Sequence, residues 1–276
     1  MNTQFLNVSD GKLAYDSIGS GPLVIEIPGM GDLRLGYRFL TPQLVAAGYR
    51  VVSLDVRGHG ETSIRWPDYT VVGVGQDILA LVRALDAGPA ILIANSMAAG
   101  AAVWAAAEAP ELVNAMVLLG PSVRGEVSGA YRLLFTALFA RPWGPSAWIA
   151  YFKKLFATRK PADFAAYTAA LKQNLNAHGR MEALQQMLIA SKKASEARVQ
   201  RVSAPTLVLM GTKDPDFKDP AAEAEWVAGK LKGSFEMIEG AGHYPQGEMP
   251  EIIGPKIIEF LKTLEMEADH VSIANA

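Results

Sequence analysis

Short apolar runs alternate with stretches of helical apolar spacing along the first 121 residues of the chain. Short runs that end at turn-forming or polar residues predict buried strands, which fall at residues 23–28, 49–56, 90–95 and 113–120. Apolar positions at helical spacing predict the helices between them, at residues 34–47, 72–86 and 97–108. Strands that are joined through helices predict an α/β fold, with a mostly parallel central sheet flanked by helices.

The pattern changes between residues 122 and 199, where no strand pattern is visible. This segment is rich in Ala, Leu and Lys, and bulky side chains cluster between Tyr131 and Phe156. The alternation then resumes, with strands predicted at 205–210 and 234–238, helices at 221–231 and 250–264, and a frayed polar tail from residue 265. We therefore predict an α/β core formed by residues 1–121 and 200–276, with a helical cap inserted at residues 122–199.

Composition excludes several classes of protein. The 276 residues are half apolar and carry a net charge of −2, which gives no sign of nucleic-acid binding. The absence of cysteine excludes disulfides, thiolate metal sites and a cysteine nucleophile. The N-terminal residues lack the pattern of a secretory signal, and the most apolar segment, residues 133–140, is too short to span a bilayer. We expect a cytoplasmic protein with no membrane span.

Charge is distributed unevenly along the chain. Residues 122–199 hold 12 Lys/Arg and 4 Asp/Glu, a net charge of +8, whereas the remainder holds 14 and 24, a net charge of −10. This asymmetry is a second indication that the inserted segment is a distinct unit.

Side chains that can carry chemistry follow the ends of the predicted strands. In parallel sheets, catalytic groups collect at the carboxyl ends of the strands, and these ends carry Ser96, Asp214 and His243 in that chain order. Nucleophilic acyl transfer needs a hydroxyl to attack, an imidazole to take its proton and an acid to orient the imidazole. The three residues are therefore a candidate catalytic triad.

Ser96 lies in the sequence ILIANSMAAG, between a predicted strand and a predicted helix. A tight turn there would project the serine out of the sheet and leave the Met97 N–H free to bind an oxyanion. Small neighbours suit a cramped turn, and both Ala94 and Ala98 are small. The alternative is that Ser96 only caps the following helix. The first interpretation predicts a positive φ at Ser96, and not at Ala94 or Ala98.

Only one of the four histidines lies in a glycine-rich loop after a core strand, which is His243 in GAGHYP. His59 belongs to the turn RGHG and is interpreted as structural, and His178 and His270 are expected to be solvated. The segment GTKDPDFKDP offers three acids. Asp214 is nearest to the strand end, Asp216 remains an alternative, and Asp219 is expected to cap the next helix.

A second oxyanion donor is the backbone N–H of Met30, in the loop Gly29-Met30-Gly31. The alternative for this loop is an ordinary turn. The chain has no phosphate-binding loop, no dinucleotide fingerprint and no HExxH sequence, so neither a cofactor nor a metal is predicted. Glu26 lies inside an apolar strand, and we interpret it as a partly buried structural carboxylate, with contact to the active-site floor as the alternative.

Five motifs occur in the order found in α/β-hydrolase-fold proteins, and the chain resembles that superfamily over nearly its whole length. They are PGMG (28–31), DVRGHGETS (55–63), NSMAAG (95–100), GTKD (211–214) and GAGH (240–243). The third is often Asn-Ser-Met-Gly-Gly in the carbon–carbon hydrolase and haloperoxidase-like branches. Two features depart from the family: alanines replace the elbow glycines, and Pro28 replaces the usual histidine.

The resemblance implies a Ser96 nucleophile, a His243 base, an Asp214 acid and an oxyanion hole formed by the Met30 and Met97 N–H groups. It also implies that the insertion is a helical cap over the active site. We expect a serine hydrolase that cleaves carboxylic esters of small or medium apolar substrates, acting as a monomer or homodimer. A carbon–carbon bond hydrolase, a perhydrolase and a small-molecule receptor on the same fold are the alternatives. The basic insertion is compatible with preferred anionic substrates, although a solvated basic surface explains it more simply.

Overall fold

The computed structural model describes the backbone of residues 2–274 and the side chains of residues 2–266. Within these residues, eight strands form one sheet in the order β1-β2-β4-β3-β5-β6-β7-β8. The strands are β1 Gln4–Val8, β2 Gly11–Ile18, β3 Leu23–Ile27, β4 Arg50–Leu54, β5 Ala90–Asn95, β6 Val113–Leu119, β7 Thr206–Gly211 and β8 Ser234–Ile238. All pairs from β4 to β8 along this order are parallel, which confirms the predicted α/β sheet.

The first two strands were not identified by the apolar pattern. They form an antiparallel hairpin at one edge of the sheet, and β2 also pairs antiparallel with β4. Both strands are only partly buried, so apolar and polar residues are mixed within them. Strands with a solvated face lack the apolar runs that marked the buried strands β3 to β7.

Eleven α-helices surround the sheet within the described residues. They are α1 Thr41–Ala46, α2 Val71–Leu85, α3 Met97–Glu108, α4 Gly129–Leu138, α5 Gly144–Lys154, α6 Phe164–Asn176, α7 Arg180–Leu188, α8 Lys193–Glu196, α9 Pro220–Leu231, α10 Pro245–Glu248 and α11 Pro250–Ala274. One apolar cluster contains residues of α2, α3 and α9, and a second, on the opposite face of the sheet, contains residues of α1 and α11. The sheet is therefore covered on both faces, as its apolar strands require.

Two predicted helices have different bounds in the structure. The single helix predicted at residues 34–47 is wrong, because a 3₁₀ turn at Arg34–Tyr37 is followed by the separate helix α1. Pro42 lies in the first turn of α1, where its missing N–H leaves no helical hydrogen bond unmade. The final helix continues to Ala274, beyond the predicted end at 264, through residues such as Glu265, Met266 and Ala268 that favour helix.

The segment between β6 and β7 contains five helices, α4 to α8, and has an apolar cluster of its own. That cluster includes Trp148, Phe152 and Phe164 from the segment, and also Leu33 and Tyr244 from loops of the sheet. The segment is therefore packed against the loops that follow the carboxyl-terminal ends of the strands. Its division from the core at residues 122–199 stays a prediction. No helix in the described part of the chain is long and apolar enough to cross a membrane.

Glu26 in β3 is fully buried, so the expectation of partial burial is wrong. Its hydrogen bonds fit the expected structural role. Its Oε2 accepts hydrogen bonds from the hydroxyls of Thr41 at 2.7 Å and Ser53 at 2.6 Å. Burial raises the pKa of Glu26 to about 8, because the two hydroxyls offset only part of the cost of removing its charge from water. The carboxyl group is therefore protonated at neutral pH.

Glu26→Gln should abolish a pH dependence of stability. Between pH 4.5 and about 8 the folded protein keeps the Glu26 proton and the unfolded chain loses it, so the wild type loses stability as pH rises. Glutamine has no proton to lose, and the variant should gain roughly 2–4 kcal/mol relative to wild type between pH 5 and pH 8. Urea unfolding at both pH values measures this difference. A difference that is the same at both pH values would contradict the account.

Candidate active site

Ser96 occupies a strained turn between β5 and α3. Its φ is 56° and its ψ is −125°, and neither Ala94 nor Ala98 is among the residues with positive φ. Its side chain makes no capping hydrogen bond to the helix that begins at Met97. The predicted positive φ is thus confirmed, and the interpretation of Ser96 as a simple helix cap is wrong. A strained turn of this kind projects the serine side chain away from the end of the strand.

The residue before the serine connects its turn to two other loops. The Asn95 side-chain amide donates to the backbone oxygen of Leu119 at 2.9 Å and to that of His243 at 3.0 Å. The Ser96 N–H also donates to the Leu119 oxygen, at 3.0 Å. The Ser96 turn and the His243 loop are therefore held together by buried hydrogen bonds that involve no catalytic atom.

His243 and Asp214 are in direct contact at the ends of β8 and β7. Nδ1 of His243 lies 2.7 Å from Oδ2 of Asp214, and both side chains are almost completely buried. Gly120, after β6, allows this contact: a Cβ there would lie 3.1 Å from each of these two atoms. A carboxylate in this position orients the imidazole and stabilises its protonated form.

A second carboxylate lies on the other side of the same imidazole. Oδ2 of Asp216 is 3.4 Å from Nε2 of His243, whereas no hydrogen bond between Ser96 and His243 is found in the described residues. Burial lowers the pKa of His243, but the charges of Asp214 and Asp216 outweigh it and raise the pKa to about 9. The position of Asp216 beside Nε2 could not be predicted from the sequence, because it depends on how the loop folds. His243 is therefore predominantly protonated at neutral pH in this arrangement.

The loop after β3 lies against the serine. A Cβ at Gly29 would come within 3.0 Å of the Ser96 Cβ, so glycine permits this approach. Gly31 has a φ of 69°, and its N–H donates to Nε2 of His59 at 2.9 Å. Among the hydrogen bonds of the described residues, none uses the N–H of Met30 or Met97 as donor. Both N–H groups are therefore available at the loop and turn next to Ser96.

His59 has the structural role that its turn suggested. Burial lowers its pKa to about 4, so the ring is neutral and its Nε2 can accept the Gly31 N–H. Nδ1 then carries the proton and donates to the backbone oxygen of Arg57 at 3.0 Å. His59 thus fixes the loop that contains Met30.

Residues of the segment between β6 and β7 are hydrogen-bonded to three of the loops around the site. Trp148 of α5 donates to the Gly31 oxygen at 2.9 Å, and the Leu155 oxygen accepts the N–H of His243 at 2.8 Å. The Tyr151 hydroxyl donates to Asp216, and the Tyr167 hydroxyl of α6 donates to Asp32. Sequence patterns missed these contacts, because they join residues more than 60 positions apart. With them in place, Ser96 is only 5% exposed and His243 1% exposed.

The remaining acids and histidines have simpler roles. Asp219 accepts the Ala222 N–H at 3.0 Å, which confirms that it caps α9. His178 is exposed, as expected, and the side chain of His270 lies outside the described residues.

The ligand atoms of Asp214, Asp216 and His243 all lie within 4.8 Å of one another. However, the two carboxylates face opposite nitrogens of one imidazole ring, so a single ion cannot be bound by all three in this arrangement. The contact between His243 Nδ1 and Asp214 Oδ2 is instead a hydrogen bond of 2.7 Å.

Comparison with known proteins identifies the same architecture. A family model described as alpha/beta hydrolase fold matches residues 22–250. An AB hydrolase superfamily protein of Bacillus subtilis is 24% identical over 291 residues, covering 94% of this chain and 97% of that protein.

Two solved structures share the fold. A thermophilic esterase from Thermogutta terrifontis has a TM-score of 0.80 at 21% identity, covering 96% of this chain and 99% of the esterase. A bromoperoxidase from Bacillus anthracis has a TM-score of 0.81 at 19% identity, covering 95% of this chain and 100% of the bromoperoxidase. At these identities the likeness shows the fold, and the named activities are those of the two proteins.

Gly120→Ala should break the contact between Asp214 and His243. The new methyl group would crowd both side chains at a position whose φ is 49°, whereas Gly88→Ala at φ 79° meets no atom within 4 Å. We expect Gly120→Ala to lower the free energy of unfolding by about 1–3 kcal/mol more than Gly88→Ala does. We also expect it to remove the low-field NMR signal of the His243 Nδ1 proton. Equal losses of stability, with that signal retained, would contradict this role of Gly120.

Proposed function

This chain belongs to the alpha/beta hydrolase fold family, and we propose that it is a serine hydrolase that cleaves carboxylic esters of small or medium apolar substrates. One observation carries the proposal: the imidazole of His243 is hydrogen-bonded to Asp214, and Asn95 ties the His243 loop to the strained turn of Ser96. A positioned hydroxyl, base and orienting acid are the parts that nucleophilic acyl transfer requires.

The reaction begins when His243 is neutral at Nε2. Ser96 Oγ attacks the ester carbonyl carbon, and Nε2 takes the hydroxyl proton while Asp214 stabilises the imidazolium that forms. The carbonyl oxygen becomes an oxyanion near the N–H groups of Met30 and Met97. Collapse of this intermediate breaks the bond to the alcohol, which leaves with the proton from Nε2. Water, deprotonated by the same nitrogen, then cleaves the acyl-enzyme.

The oxyanion donors owe their position to the backbone. The Met97 N–H is at the first position of α3, where no intrahelical acceptor exists, and the Met30 N–H lies in the loop held by His59. Donors that are fixed before reaction need no reorganisation, and one such donor is typically worth about 10²–10³ in kcat.

The preference for apolar substrates is supported by the inserted segment. Its apolar cluster includes Leu33, which follows the Met30 loop, and Tyr244, which follows His243. Because Ser96 and His243 are almost completely buried, substrate entry requires movement of this segment or of the loops that it contacts. In the proposal the segment, residues 122–199, is therefore a cap that closes over a mainly apolar site.

Perhydrolysis is a second candidate, because a bromoperoxidase shares the fold over 95% of this chain. Hydrogen peroxide would replace water as the nucleophile that attacks the acyl-enzyme, and a peracid would be released. Adding peroxide to an ester assay and measuring peracid separates the two reactions.

Ser96→Ala should lower the turnover of p-nitrophenyl butyrate by at least about a thousandfold, because the nucleophile is lost. Ser122→Ala replaces another serine, in the loop that follows β6, and should leave turnover within a few-fold of wild type. Far-UV circular dichroism verifies that both variants fold. Unchanged turnover in Ser96→Ala would refute the proposal, and a single acylation without further turnover in wild type would favour a receptor.

The dependence of kcat/KM on pH should report the protonation of His243. Its pKa is raised to about 9, so the imidazole is the charged form at neutral pH and becomes a base only as pH rises. We expect kcat/KM for a neutral ester to increase through pH 8, to reach half of its maximum near pH 9 and to level off above about pH 10. A plateau that is already reached at pH 7 would contradict the raised pKa.

A further inference from the structure

His243 is held between two carboxylates, only one of which the proposed mechanism uses. Asp214 contacts Nδ1 at 2.7 Å, and Asp216 lies 3.4 Å from Nε2. Nε2 is the nitrogen that must take the proton from Ser96. Asp216 thus lies where it can affect the base directly.

The loop after β7 places both carboxylates together. The Asp216 N–H donates to Oδ1 of Asp214 at 3.0 Å, so the two acids form one turn. The Tyr151 hydroxyl of α5 donates to Oδ1 of Asp216, whereas Oδ2 of Asp216 is the oxygen that faces His243. Asp216 is consequently fixed from both sides, by the core loop and by the inserted segment.

We propose that Asp216 is a positioning residue that holds a proton on Nε2 of His243 and thereby sets the pH range in which this base becomes available. A carboxylate near an imidazole stabilises the imidazolium form, so a higher pH is needed to remove the Nε2 proton. The role in catalysis rests on the proposed function, but the effect on His243 does not.

Other titratable groups around the imidazole have smaller effects. Burial lowers the pKa of Lys192, before α8, and the charge of Asp216 partly offsets that effect. Burial and the nearby acids raise the pKa values of Tyr151 and Tyr244, so both hydroxyls stay neutral. The acids Asp214 and Asp216 are therefore the charges that favour protonated His243.

The two acids should differ in what their removal does. Asp214 faces Nδ1 and orients the ring, so its removal should impair catalysis at every pH. Asp216 faces Nε2, and its side chain is 26% exposed, so it can be replaced without leaving a buried gap. Asparagine keeps the shape of the side chain and an oxygen that accepts the Tyr151 hydroxyl, while removing the charge.

The test is an NMR titration of the His243 ring nitrogens in wild type and Asp216→Asn. We expect the midpoint pH of His243 to fall by about one unit or more in the variant. Asp219→Asn is the matched control. The Asp219 carboxylate belongs to the same segment as Asp216, but it caps α9 and does not contact His243. Its midpoint should equal that of wild type. An unchanged midpoint in Asp216→Asn would overturn the proposal.

Tyr151→Phe tests whether the midpoint of His243 depends on the charge of Asp216 or on the contact between Asp216 and the inserted segment. It removes the hydroxyl that Asp216 accepts but keeps the carboxylate charge. The midpoint of His243 should stay at the wild-type value or rise, because the carboxylate loses a hydrogen-bond donor. A fall as large as that in Asp216→Asn would show that loss of packing moves the midpoint, and would overturn the proposal.

Activity measurements then distinguish this inference from the proposed function. If wild type cleaves esters, the rise of kcat/KM in Asp216→Asn should move to lower pH by the same amount as the NMR midpoint. If wild type cleaves no ester but the midpoint still falls, the proposed function fails and the role of Asp216 stands. If wild type cleaves esters and neither the midpoint nor the pH profile moves, the role of Asp216 fails and the proposed function stands.

Discussion

The structure depends on parallel strands whose carboxyl-terminal ends all lie at the same end of the sheet. β3, β5, β6, β7 and β8 all point the same way, so the loops that follow them must meet there. Residues that are distant in the chain, such as Ser96, Asp214 and His243, come together without any long-range sequence signal. Asn95 then ties two of these loops with buried hydrogen bonds. The candidate catalytic group is thus a consequence of topology, fixed by contacts that take no part in the chemistry.

Burial of polar groups determines the protonation states of Glu26, His59 and His243. The same removal from water raises the pKa of Glu26, lowers that of His59, and would lower that of His243 if two carboxylates were not beside it. Each group is tolerated because it has a hydrogen-bond partner or loses its charge. His59 remains neutral and orders the Met30 loop, whereas His243 is held as a cation until the pH or a rearrangement releases its proton. The inserted helices complete the enclosure through Trp148, Tyr151 and Tyr167.

The sequence predicted much of this arrangement, for physical reasons that also explain the failures. Strands β3 to β7 were found because burial on both faces makes them largely apolar, and the β1–β2 hairpin was missed because one of its faces is solvated. The edge strand β8 was found from its short apolar run, although it is only partly buried. Ser96, His243 and Asp214 could be selected because strand ends are visible in sequence. The location of Asp216 at Nε2 could not, since it depends on a turn with Asp214 and on Tyr151, which lies in a different helix. Sequence patterns also gave no measure of how deeply Glu26 is buried.

In the proposed function, Ser96, His243 and the oxyanion donors form a single reactive unit. Reaction with a fluorophosphonate probe, followed by mass spectrometry of the labelled peptide, tests it most directly, because labelling requires an activated hydroxyl and a place for the phosphonyl oxygen. We expect one label per chain, on Ser96, formed rapidly in wild type and at least about a hundredfold more slowly in His243→Ala. No labelling of folded wild type, or equal rates in the two proteins, would contradict it.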